Sequence, residues 1–159
     1  MMRKSVQALV AFSICQAVSG TLYAESFLVT NLDDSGSGSL RAAIVSANAD
    51  PVPDTIEFAD GLNGTIILSS GLPGLTGAVE IQGPGAEIIT ISGNSQHRPF
   101  SVLSGSTVTL TGLTIANGQT TSLDGGGGIH NAGDLTITDC VLSNNHADFD
   151  GGAIHNVDG

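Results

Sequence analysis

Two stretches of this chain occur twice, in step with each other. Gly126-Gly127-Gly128-Ile129-His130-Asn131 returns 25 residues later as Gly151-Gly152-Ala153-Ile154-His155-Asn156. Val108-Thr109-Leu110-Thr111-Gly112-Leu113-Thr114-Ile115 returns 27 residues later as Leu135-Thr136-Ile137-Thr138-Asp139-Cys140-Val141-Leu142. Self-similarity at a period of about 20–50 residues marks a solenoid or array, in which each repeat packs on the next. From Asp54 onward the chain is a series of short apolar-alternating pieces parted by glycine and asparagine, at 55–58, 65–68, 79–81, 89–91, 100–102, 108–110, 113–115, 135–137 and 140–142. These are threonine-rich, β-branched strands with a period of two. No helical pattern lies between them, which excludes ordinary βαβ units, and a β-sandwich has no need of copies kept in register. The architecture left is an all-β solenoid in which every strand pairs in parallel with its copy one coil away. Residues 54–159 are enough for about four such coils.

Alternation assigns the side chains. Val108, Leu110, Leu113 and Ile115 point inward, as do Leu135, Ile137, Cys140 and Leu142 in the next coil, while the threonines between them face out. Cys140 takes the place of Leu113 and reads as a small buried hydrophobe. Before the repeats, 27–32 reads as a strand and Asp33 to Gly38 as a flexible turn. Then comes the one good helical pattern: Leu40, Ala43, Ile44 and Ala47 line a single face, Ser39 stands as N-cap, and Pro51 and Pro53 forbid continuation. So short a helix is marginal alone and must lie on something apolar. An open solenoid end exposes strand edges and core, so residues 25–53 are expected to form an N-terminal cap, with Arg41 on the solvent side.

Residues 1–24 read as an address rather than as structure. Met1-Met2-Arg3-Lys4 is basic, an apolar run from Ala8 to Val18 follows, and small residues lead to Ala24. This is the order of a secretory signal peptide, too short in its apolar part to span a bilayer, with cleavage expected after Ala24. Its removal leaves Arg41 and Arg98 against 15 acidic residues, a net charge of 2 − 15 = −13, with no lysine. Such a surface repels nucleic acid, anionic lipid and polyuronates, and it suits a protein outside the cell that takes up divalent cations weakly. Cys15 leaves with the signal, so Cys140 is alone and no intrachain disulfide forms.

Gly151-Gly152-Ala153-Ile154, with Leu142-Ser143-Asn144-Asn145 upstream, resembles the repeats of polymorphic outer-membrane proteins, which pair a GGA[I/L/V] motif with FxxN. Here leucine replaces the phenylalanine. The stretches Asp33 to Ala59 and Ile88 to Gly118 have the look of large bacterial β-helix surface proteins. The resemblance implies a right-handed parallel β-helix of pectin-lyase-like fold and a place outside the cell, released or held at the outer-membrane surface. Its members are mostly adhesins, surface antigens or autotransporter passengers. Val157-Asp158-Gly159 falls partway into a repeat and carries no cap, so 54–159 is expected to be the front of a longer set of coils.

Candidate chemistry is sparse. His130 and His155 hold equivalent places in successive coils and form a ladder beside glycine turns. The same pair, helped by Asp124 or Asp150, is the candidate for a transition metal, although two ligands without a defined third make an incomplete set. Asn131 and Asn156 read as a second ladder whose amides satisfy turn backbone. Asp148 and Asp150 flank Phe149, but the base of a β-helix lyase, usually arginine or lysine, has only Arg98 to supply it, and Arg98 sits in a turn where solvation is the expected role. His97 and His146 are also expected to be solvated in turns. The glycine run 125–128 is followed by no helix N-terminus that would make it a phosphate loop. No catalytic residue and no cofactor are therefore expected within these residues. Two functions remain: an adhesin-like protein binding glycans or cell-surface molecules through repetitive polar faces, or a polysaccharide lyase or glycoside hydrolase whose active site lies in further coils.

Overall fold

A computed structural model describes residues 23–49 and 51–157. The proposed signal peptide lies outside the described residues except for Tyr23 and Ala24. Among the described residues β1 (Ser26–Val29) and the helix α1 (Leu40–Ala47) come first. The coils follow. The first holds β2 (Asp54–Phe58) and β3 (Gly64–Ile67), and the second β4 (Ala78–Gln82), β5 (Ile89–Ser92) and β6 (Phe100–Val102). The third holds β7 (Thr107–Thr111), β8 (Thr114–Ala116), β9 (Gln119–Thr120) and β10 (Ile129–Asn131). The fourth holds β11 (Asp134–Thr138), β12 (Val141–Ser143), β13 (His146–Ala147) and β14 (Ile154–Asn156).

Every strand pairing is parallel and joins a strand to its counterpart one coil away, giving sheets ordered β1-β2-β4-β7-β11, β3-β5-β8-β12, β6-β10-β14 and β9-β13. This is the right-handed parallel β-helix, with β1 adding a fifth rung below the four coils. The expected repeats pair as read: Leu110 with Ile137, and His130 with His155. Four strands did not announce themselves. β9 and β13 have two residues each, while β10 and β14 lie in what reads from sequence as glycine turns.

Register builds the core as columns. Phe27, Ile56, Ile81, Leu110 and Ile137 stack on the five-stranded sheet, Ile66, Ile91, Ile115 and Leu142 on the four-stranded one, and Phe100, Ile129 and Ile154 on the three-stranded one. Ile81, Leu110, Ile91, Ile115, Phe100 and Ile129 have no exposed surface, and each such side chain stabilises the fold by about 2–3 kcal/mol of transfer free energy. In the last coil Leu135, Ile137, Cys140, Leu142 and Ile154 are only partly buried. Cys140 thus departs from the expected full burial: it packs on the core edge, its thiol donating to Leu110 O at 3.5 Å.

The cap is as the helical pattern foretells. Leu40, Ala43, Ile44 and Ala47 are buried, and Ser39 accepts from Ala42 N at 3.2 Å. Asn48 ties the other end to the next coil, donating to Gly74 O at 2.8 Å and accepting from Thr76 N at 3.0 Å. Arg41 does not simply face solvent. It pairs with Asp34 at 2.6 Å and donates to Gly71 O and Ser70 O at 2.7 and 2.8 Å, pinning the 33–38 turn to the first coil. Burial pushes the Asp34 carboxyl up, but the bonds from Arg41 and Ser69 outweigh it and hold the group below its ordinary range.

Turns need left-handed backbone at fixed places in the coil. Gly112 (φ 61°) and its counterpart Asp139 (φ 52°) make one such corner, and Asn117 (φ 51°) and Asn144 (φ 53°) another. Asparagine and aspartate tolerate this region better than most residues, which explains part of their recurrence.

Candidate functional site

The repeated glycine turn gathers His130, His155 and Arg98. Arg98, just before β6, reaches one coil on: its Nε donates to Gly126 O at 2.7 Å and its Nη2 to Gly125 O, to Asp124 Oδ1 at 3.2 Å and to Thr120 Oγ1 at 3.3 Å. The side chain is 15 % exposed, so the expected solvated role is wrong. A planar fork with five donors is what a turn rich in unpaired carbonyls needs. Asp124 closes the network, and its carboxyl is held at about 2 by the Ser122 hydroxyl and then by Arg98.

His130 and His155 pair in register, their ring centres 5.9 Å apart and tilted by 49°. The Nδ1 atoms of both rings bond one acceptor, the backbone carbonyl of Asp124 (3.1 Å for His130). A carbonyl can only accept, so each ring carries a hydrogen on Nδ1. What Asp150 supplies is its own carbonyl, which accepts from Gly126 N at 3.0 Å. Among the described residues no three of His, Cys, Asp and Glu come together as a metal-binding group. The two rings meet the turn at Asp124 from successive coils.

Asn131 and Asn156 pair in register. Asn131, buried in a column continued from Leu75 and Val102, donates to Asn156 Oδ1 at 3.1 Å and accepts from Gly133 N at 3.2 Å. Asn145, the last residue of the LxxN motif, has a stronger structural role than sequence alone suggests. It accepts from Gly118 N at 2.8 Å and donates to Ile115 O at 2.9 Å, stitching the fourth coil to the third. Gly151 (φ 63°) bends the turn ahead of Gly152 and Ile154. His146 and Asp148 approach at 3.3 Å in water, whereas His97 is partly buried, its carbonyl accepting from Gln119 N.

A second region lies on the outer face of the five-stranded sheet. Ser26, Thr55, Glu80, Thr109 and Thr136 form one outward column, and Leu28, Glu57, Gln82, Thr111 and Thr138 its neighbour. At the edge of this face a cleft of about 320 Å³ is lined by Ala24, Asp54, Thr55, Glu80, Thr107 and Thr109 among others. Hydroxyls, an amide and carboxylates thus recur at the spacing of parallel strands, about 4.8 Å.

No helix among the described residues is long and apolar enough to cross a membrane. No protein-family model, curated protein or solved structure matches this chain.

Proposed function

We propose that this chain is an exported β-helix protein of the cell exterior, adhesin-like or passenger-like, that binds neutral glycans of cell surfaces through its repeated polar face. The observation that carries the reading is the pair of outward columns on the five-stranded sheet, Ser26-Thr55-Glu80-Thr109-Thr136 beside Leu28-Glu57-Gln82-Thr111-Thr138, with a cleft at their edge. An extended polysaccharide offers hydroxyls at regular intervals, and a rigid row of donors and acceptors meets it with many weak contacts, so that avidity stands in for a deep pocket. The net charge of −13 after removal of residues 1–24 favours neutral over acidic sugars. The likeness of the GGAI and LxxN elements to outer-membrane protein repeats supports the same placement.

The test is binding of the exported chain to an array of neutral and acidic polysaccharides, beside Thr109→Val and Thr136→Val. Retention on one or more neutral glycans, weakened about tenfold in the double variant, is the expected result. Absence of binding to any glycan overturns the proposal. Release of shortened sugars from a bound polysaccharide would instead assign the chain to the lyases or hydrolases.

A further inference from the structure

Asp54 Oδ2 is the single buried side-chain nitrogen or oxygen among the described residues without a hydrogen-bond partner. Asp54 is 2 % exposed and stands at the end of a core column whose other members are Val79, Val108 and Leu135. A carboxylate in place of valine, half satisfied, is costly unless something completes it. Its other oxygen accepts from the backbone nitrogen of Glu25 at 2.8 Å, and Glu25 O accepts from Thr55 N at 2.9 Å. Residue 25 is thus held on both sides of its Cα, its nitrogen against the carboxylate.

A peptide nitrogen brings one hydrogen and no charge, so it serves one oxygen. An α-ammonium brings three hydrogens and a full positive charge. The sequence places the end of the export signal at Ala24, one bond before this nitrogen. We infer that hydrolysis of the Ala24–Glu25 bond completes the N-terminal cap. A signal-peptidase-class endopeptidase adds water across the bond, Ala24 leaves with the new carboxylate, and Glu25 keeps the nitrogen as an α-ammonium that bridges both oxygens of Asp54. The inference rests on the export reading of residues 1–24.

Three further observations agree. Tyr23 and Ala24 are exposed and lie outside any strand, Tyr23 at 72 %, so their removal takes nothing from the core. Several acidic groups of the described residues stand at this end of the sheet: Asp54 on the nitrogen itself, the side chain of Glu25, Glu57 bonded to Ser26 Oγ at 2.7 Å, and Glu80 in the cleft beside Asp54. Both described arginines are committed elsewhere, Arg41 to Asp34 and Arg98 to Asp124. The new ammonium is therefore the cation that this corner lacks.

The first measurement is the intact mass of the exported protein. Glu25 as first residue is expected, and any other N-terminus overturns the inference together with the placement of the cleavage site. The second compares the full chain starting at Glu25, released from a fusion without extra residues, with the same chain keeping Ala24 and with the Glu25 form α-acetylated. The free Glu25 form should have an unfolding constant smaller by roughly tenfold or more. The gap should close at alkaline pH. A paired ammonium keeps its proton above the ordinary α-amino value of about 8, so its contribution is full below that value and lost as pH rises through the folded one. In Asp54→Asn the three forms should be equally stable. Equal stability of the Glu25 and Ala24 forms with Asp54 intact overturns the pairing and leaves the export reading standing, and this comparison needs no substitution that might prevent folding.

Discussion

Whether α1 seals the helix end can be measured at Ile44. Its side chain has no exposed surface and lies among Leu40, Ala43 and Ala47 over the first rungs, while Val45 on the same helix is 57 % exposed. An eight-residue helix has little stability of its own, so its docking rests on that buried face. Ile44→Ala removes three carbons. At about 0.8 kcal/mol per buried methylene the transfer loss is about 2.4 kcal/mol, and the cavity left behind raises it to about 3–4 kcal/mol. A domain of this size has a total of about 5–15 kcal/mol, and the midpoint should fall by roughly 10–15 °C. Val45→Ala should change stability by less than about 0.5 kcal/mol. Urea unfolding followed by far-UV circular dichroism gives both values at an unchanged denaturant slope. If Ile44→Ala and Val45→Ala fall within about 1 kcal/mol of each other, α1 does not close the core. Ile44→Asp adds a buried charge and an open sheet end, and size-exclusion chromatography should show aggregation. A monomeric, equally stable Ile44→Asp variant would refute the capping argument outright.

Other sites make independent demands. Gly93→Ala sets a Cβ 2.1 Å from His97 O, 2.7 Å from Gly118 Cα and 2.8 Å from Asn117 O, all backbone, so thermal unfolding should show a loss of about 3 kcal/mol. Gly105→Asn, at φ +79° with open space around it, should cost less than about 1 kcal/mol in the same assay. Arg98→Lys keeps the charge but loses the fork on Gly125 and Gly126, and chemical denaturation should register about 2–3 kcal/mol. Asp124 has its folded pKa lowered to about 2, so its contribution is present above about pH 4 and is lost as pH falls through 2. With the side chain 44 % exposed, that contribution is below about 1 kcal/mol. A carboxyl-carbon NMR titration checks the value, and Asp124→Asn should flatten the acid limb of stability between pH 4 and 2.

The rungs were legible in the sequence because a solenoid writes them twice. Leu135 to Leu142 copies Val108 to Ile115, and a period of two then assigns each side chain to core or solvent. The cap was legible for a different reason: Leu40, Ala43, Ile44 and Ala47 are the only run with helical spacing in a chain of strands. The strands Ile129–Asn131 and Ile154–Asn156 were hidden by the glycines before them, which signal turns without saying that pairing resumes at once. Full burial of Cys140 failed because inward direction is local, whereas burial needs a rung on each side, and the described coils place one on one side only.

The contacts of Arg98 and Asp54 were out of reach for a deeper reason. In a parallel helix every regular position faces its own copy, so a ladder of like residues is the default and carries little information about function. Specific chemistry must come from positions that break the ladder. Arg98 breaks it and is answered by two turn carbonyls and Asp124, groups about one coil away in sequence. Asn131 breaks an apolar column and is answered by Asn156 and Gly133 N. Asp54 breaks the column of Val79, Val108 and Leu135, and only one of its oxygens is answered. Each exception but the last is satisfied within the folded chain, and the unsatisfied one faces the nitrogen that follows Ala24. A break in the ladder closed by folding alone braces the coil; one left half closed waits for a group that folding does not provide. By that logic Asp54, rather than the conspicuous histidine pair, is the described residue at which the proposed cleavage after Ala24 is to be tested.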